Sequence, residues 1–166
     1  MSLLHTMKAL DLLDSSFVSG ESVKAALTAA GIKAENISVK TVSGPTGKST
    51  DFVKVWFYGT EGRHAGGSAP TIGIVGRLGG IGARPDRVGL VSDADGAVSA
   101  VAIAMKLGDM AQRGDLLKGD VFVSTHICPT APTKPHDPVP FMGSPINMTI
   151  ANREEMSEDL DAVLSI

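Results

Sequence analysis

Val91 to Leu107 reads VSDADGAVSAVAIAMKL, and the architecture of the chain turns on it. From Ala97 to Leu107 the only polar residues are Ser99 and Lys106. A helix that is apolar nearly all round is buried in a core or lies at a subunit interface. The run before it, Arg87 to Val91, is short and apolar, and it is expected to form a strand. Asp93 and Asp95 stand between the two, where a strand exits and a helix begins.

Working outward, Thr71 to Leu78 and Asp120 to Thr125 are further short runs rich in Ile, Val and Gly or in Val and Phe. Unbroken apolar strands point to burial on both faces, as in a parallel sheet covered by helices. Strand, helix and strand in this order predict a right-handed crossover unit. Towards the N-terminus, Leu3 to Leu13 carries Leu3, Leu4, Met7 and Leu10 at helical spacing. A second helix is expected over Ser22 to Ala30, with Ser19 or Glu21 near its start and Gly31 just past its end. Ile37 to Val42 and Phe52 to Tyr58 alternate apolar and polar residues, as half-buried strands do. SGPTGKST between them reads as a turn, and GTEGRHAGGSAP after them as a loop. The tail, Asn152 to Leu164, is expected to be an acidic helix. Together these elements predict an α/β three-layer sandwich with a mostly parallel or mixed sheet flanked by helices.

Composition sets the outer bounds. A chain of 166 residues suits one domain over 1–166 with a sizeable core. Hydrophobic residues make up 43% and charged residues 20%, as in an ordinary soluble globular protein. A net charge of -3 gives no footing for nucleic acid or an anionic membrane as partner. A single cysteine rules out an internal disulfide and fits a reducing, cytoplasmic setting. No apolar run has the length of a membrane span, and the N-terminus lacks the features of a secretion signal.

Three stretches could carry chemistry. Asp93 and Asp95 sit where open α/β sheets place their ligands, at the carboxyl end of a strand. Two carboxylates there can hold a metal or position a water, although one aspartate also suffices as a helix cap. The second stretch, Ser124 to Pro145, reads STHICPTAPTKPHDPVPFMGSP and holds six of the nine prolines, the only cysteine, His126 and His136. His126 and Cys128, two apart on an extended chain, point to the same side, and imidazole and thiolate both suit zinc. Their spacing matches no standard zinc motif, and a lone cysteine often serves as a small buried hydrophobe. The segment is expected to wrap across the carboxyl edge and bring His126 near Asp93 or Asp95. The plainer alternative is a rigid loop that packs Phe141 and Met142 onto the core. The third stretch, GIVGRLGGIGARPDR, has glycines at 73, 76, 79, 80 and 82 and arginines at 77, 84 and 87. It fits neither dinucleotide nor P-loop spacing, so close packing is preferred over phosphate binding. His64 reads as a solvated loop residue.

GIVGRLGGIGARPDRVGLVSDADGAVSA and GDVFVSTHICPTAPTKPHDPVPFMGSP resemble the signature stretches of an uncharacterised prokaryotic family, domain of unknown function 1177. That family brings no established activity. Its members are longer, and on this resemblance the chain is the N-terminal half of a longer protein. A more distant resemblance is to co-catalytic zinc aminopeptidases. SDADGAVSAVAIAMKL is similar to their Asp-Asp-x-x-Gly turn and buried helix. The chain departs where they carry His-x-Asp, having Arg77, Leu78 and Gly79, and where they carry Glu-Glu, having Thr125, His126, Ile127 and Cys128.

The resemblance implies a metal-dependent hydrolase of amide or peptide bonds with a rearranged site. A divalent metal, zinc, would be held by Asp93, Asp95 and His126. Asp95, His126 and His136 would act in catalysis, and Arg77 and Cys128 would contact a small-molecule or peptide substrate. The rival is a non-catalytic binding or assembly protein that kept the fold and lost the metal site. A third reading pairs Cys128 with a histidine as a metal-free hydrolase, which needs an accessible thiol of low pKa. Self-association into a homo-oligomer, through sheet edges or the apolar helix layer, is expected in each case.

Overall fold

The computed structural model of the chain describes residues 2–77, 79–90 and 94–166. Two helices come first, α1 (Ser2–Leu13) and α2 (Gly20–Ala29). Ser19 caps α2: its hydroxyl accepts the Ser22 N–H at 3.1 Å, and the Ser22 hydroxyl accepts the Ser19 N–H at 2.8 Å. That exchange satisfies amides a helix start otherwise leaves orphaned. A hairpin follows, β1 (Ile37–Ser43) and β2 (Ser49–Phe57), turned at Gly47, whose φ of 75° suits glycine. Then come β3 (Ile72–Gly76), α3 (Asp95–Gln112), β4 (Val121–Ile127) and a two-residue hairpin, β5 (Thr133–Lys134) with β6 (Phe141–Met142). The chain closes with α4 (Met148–Glu155) and β7 (Ala162–Ser165).

The five-stranded sheet runs β1-β2-β4-β3-β7. β1, β2 and β4 pair antiparallel, whereas β3 pairs parallel with β4 and with β7. The sheet is therefore mixed, and α3 makes the crossover between its two central parallel strands. Register sorts the side chains onto two faces. Val53, Val55, Val121, Val123 and Ile127 join the main core with Ala9, Leu13, Val23 and Leu27 of α1 and α2 and with α3. The pairs Phe52 with His126, Lys54 with Ser124 and Trp56 with Phe122 lie on the opposite face. There α4 packs its Ile150 and Ala151 with Phe52, Val42 and Ile146. The result is three layers.

α3 is the buried helix that the Ala97–Leu107 run predicts. Ala97, Ala100, Val101, Ala104 and Met105 are all buried, and the helix extends from Asp95 to Gln112. It lies so near β3 that a Cβ on Gly76 would overlap the Gly96 carbonyl and the Ala100 methyl. A Cβ on Gly96 would overlap the Arg77 backbone. These glycines serve close packing, as preferred over a phosphate cradle. No described helix is long and apolar enough to cross a membrane.

Two expectations are corrected. Arg87 to Leu90 is not a strand: Arg87 makes an isolated bridge to Ala83, Gly89 turns with φ 81°, and the Leu90 N–H bonds Asp14. Val91 lies outside the described residues. The tail is not one helix over Asn152 to Leu164. α4 begins earlier and ends at Glu155, and Ala162–Ser165 extends along β3. Asp161 starts that strand by accepting the Thr71 N–H at 2.8 Å, a bond that holds its carboxyl below the usual range.

Candidate functional site

The parallel strands β3 and β4 end side by side, and their exits define the carboxyl edge. The Thr125 hydroxyl donates to the Gly76 carbonyl at 2.8 Å and fastens the two exits. Beyond them two loops run together. The Cys128 N–H donates to the Gly79 carbonyl, the Arg84 N–H to the Pro129 carbonyl, and the Ala131 N–H to the Gly82 carbonyl. The proline-rich segment is thus zipped to the glycine-rich one. Its far end forms the β5–β6 hairpin, where Phe141 is 58% exposed rather than packed on the core.

α4 crosses the second face and delivers Glu155 to this edge. Asn147 caps it, accepting the Ile150 N–H at 2.9 Å. The Glu155 carboxylate is buried, with 1% of its side chain exposed. Its Oε1 lies 2.8 Å from His126 Nδ1. Its Oε2 stands 3.2 Å from the Arg77 guanidinium without hydrogen-bond alignment, so the attraction there is coulombic. Arg77 also donates to Asn152 Oδ1 at 2.6 Å and touches Met148 Sδ at 3.2 Å. On the other side of the imidazole, the Gly79 N–H donates to His126 Nε2 at 3.2 Å. A backbone amide can only donate, so Nε2 is the acceptor and Nδ1 carries the proton toward Glu155. Phe52 leans on the ring at a centroid distance of 5.7 Å. A buried carboxylate that orients a neutral imidazole is a familiar catalytic and metal-site device. Here, however, the second ring nitrogen is also held.

The other expected site residues are placed differently. Asp95 is exposed in the first turn of α3, where its charge suits the helix dipole, and no hydrogen bond or ion pair joins it to His126. The cap position is Ala94. Asp93 lies outside the described residues. Cys128 is buried, its thiol 3.8 Å from the Ser49 carbonyl, and burial pushes its pKa up, away from a reactive thiolate. His136 is exposed beside Phe141, 6.5 Å between ring centroids. Arg77, expected to meet substrate, meets Glu155. Among the described residues, no group of three or more His, Cys, Asp or Glu could hold a metal ion. His64 is exposed, as expected of a loop residue, but it stacks on Tyr58.

Sequence reasoning missed Glu155 and Asn152. One signal was present: Ile150, Ala151, Glu154 and Glu155 fall on one side of a helix by their spacing. Two acids continue an apolar face there, which a solvated helix has no reason to do. Glu154 is buried as well, and the Lys40 ammonium, 2.8 Å from both oxygens, holds its carboxyl below the usual range. Lys54 lies near this pair, and burial lowers its ammonium pKa.

Comparison with solved structures finds a similar α/β fold in a leucine aminopeptidase. A tomato leucine aminopeptidase mutant superposes with a TM-score of 0.50 at 11% identity, covering 87% of this chain and 30% of that one. A cytosol aminopeptidase from Coxiella burnetii gives a TM-score of 0.43 at 12% identity, over 74% of this chain and 29% of that one. A glutaminyl cyclase from an Acidobacteriales bacterium gives 0.41 at 12% identity, over 76% and 42%. The chain spans less than half the length of each. No curated protein matches the chain. The sequence matches one family over residues 40–166, and by that match the chain belongs to DUF1177, a family described as protein of unknown function.

Proposed function

We propose that the chain is a non-catalytic binding or assembly domain on a peptidase-like α/β fold. The use made of His126 carries this reading. Both of its ring nitrogens are engaged inside the protein, and Glu155 is shared with Arg77. Charges that a hydrolytic centre would turn toward substrate instead fasten α4 to the sheet. The described residues do not fit a metal ion, since His126 is spent, the Cys128 thiol is buried, and Asp95 and His136 join no common cluster. Assembly draws support from β7, an edge strand whose Val163 and Leu164 are exposed. Open strand edges pair readily with other strands.

One observation favours a second reading, a zinc-dependent hydrolase of amide or peptide bonds. A carboxylate on the far nitrogen is how proteins orient a metal-ligating imidazole, and Glu155 does this for His126. Protein grown with added zinc and purified without chelator distinguishes the two. The binding and assembly reading expects no stoichiometric metal, no hydrolysis of aminoacyl anilides, and a dimer or larger species in light scattering that Leu164→Lys dissociates. One equivalent of zinc, lost in His126→Gln together with hydrolysis, would overturn it in favour of the second reading.

A further inference from the structure

A cavity of about 670 Å³ opens at the opposite, amino edge of the parallel strands, between the end of α3, the end of β2 and the link from α2 to β1. Its size is that of a small-molecule site. Leu107 and Met110 of α3 and Ile32 form its inner wall. Leu116, Leu117 and Tyr58 also line it and stay partly exposed, at 53%, 38% and 40%. Large apolar side chains left uncovered around a concavity mark a surface that a ligand can bury.

One wall is rigid. Tyr58 stacks on His64 with centroids 3.7 Å apart and planes within 17°, and Trp56 lies parallel on the same row, 6.1 Å from Tyr58. Buried Asp120 fixes this row from behind. Its Oδ1 accepts the Gly59 N–H at 2.8 Å and its Oδ2 the His64 N–H at 3.2 Å. The polar groups of the lining include two carboxylates, Glu35 and Asp115, against one ammonium, Lys33. Among the described residues, none of these three side chains makes an ion pair or a hydrogen bond. An aromatic wall with an excess of free carboxylate favours a cation that carries a flat apolar body.

We propose that this cavity binds a primary amine bearing an aromatic ring, the ring against the Tyr58–His64 wall and the ammonium between Glu35 and Asp115. The proposal does not depend on the carboxyl-edge site or on its reading. Trp56, the chain's single tryptophan, stands beside the wall and serves as a built-in reporter. The test titrates the full chain with phenethylamine, which does not interfere with tryptophan emission, and with 3-phenylpropionate, the same ring carrying the opposite charge. A saturable change in emission is expected with the amine, and binding of the acid at least roughly tenfold weaker. The double variant Glu35→Gln, Asp115→Asn should keep its thermal midpoint and bind the amine roughly tenfold more weakly. Equal binding of amine and acid, or unchanged binding in the double variant, overturns the proposal. Calorimetry repeats the titration if emission does not move, and the absence of heat in that case also overturns it.

Discussion

Arg77, His126 and Glu155 at the carboxyl edge close on one another, whereas Lys33, Glu35 and Asp115 at the amino edge face a cavity without partners. Burial explains the contrast. Glu155 is enclosed under α4, and a carboxylate removed from water must be compensated inside the protein. Glu35 and Asp115 are solvated and need nothing from their neighbours. Chemically suggestive residues at a strand exit are therefore not the same as available ones. The edge that looks more like an active site by composition has its charges committed, and the plainer edge keeps its charges free.

Five substitutions sharpen or break this contrast. A charge with no partner at all sets the upper end. Ala100→Asp, in the layer between α3 and β3, should cost several kcal/mol and leave little folded protein, read from the urea midpoint. Next comes Glu155→Ala, which leaves His126 without its acceptor and Arg77 without its counter-charge. Arg77 keeps some access to water, so a loss of about 3 kcal/mol is expected, at the lower end for a broken buried pair. A loss below about 1 kcal/mol would show that the network is not closed and would erase the difference between the edges.

Lys40→Met should cost about 1 kcal/mol near neutral pH, because Lys40 is 62% exposed and water screens the pair. Its effect depends on pH. The Glu154 carboxyl is held below its ordinary 4.5 in the folded chain, chiefly by the hydrogen bonds from Lys40. The unfolded chain thus takes up the proton first as pH falls. The contribution is full above that ordinary value and is lost as pH drops through the lowered folded one. Urea midpoints of the variant and the parent should converge in acid and separate above it. The smallest effect belongs to the amino edge, where Glu35→Gln and Asp115→Asn should each shift stability by no more than about 0.5 kcal/mol.

The parts most legible in the sequence are the most buried ones. β4 is buried except at half-buried His126, and β3 and α3 bury the sides they turn to the core, so their apolar residues dominate and their types are plain. A cap at Ser19 or Glu21 and a strand over Ile37 to Val42 were similarly visible in local chemistry; the cap is Ser19 and the strand runs on to Ser43. β7 was not, since Val163 and Leu164 sit among acids and extend only because β3 offers its edge. Arg87 to Leu90 misled in the opposite sense, its few apolar residues belonging to a turn strapped to Asp14. At the site, the position of His126 at a strand exit was readable. Its partner was not: Glu155 arrives from α4 across the second face, and no local pattern states which side chains a tertiary fold brings together.

The pairing of β7 with β3 also has a consequence for how the chain is made. Ile72 aligns with Ala162, far along the sequence, with α3 and β4 between them. At about 5–20 residues per second, β3 leaves the ribosome several seconds before its outer neighbour exists. Closing so long a loop is slow, and it becomes worthwhile only after β4 has fixed the other side of β3. Through that interval the nascent chain displays a strand with one uncovered edge, and of the five described strands of the sheet β7 is the last to arrive.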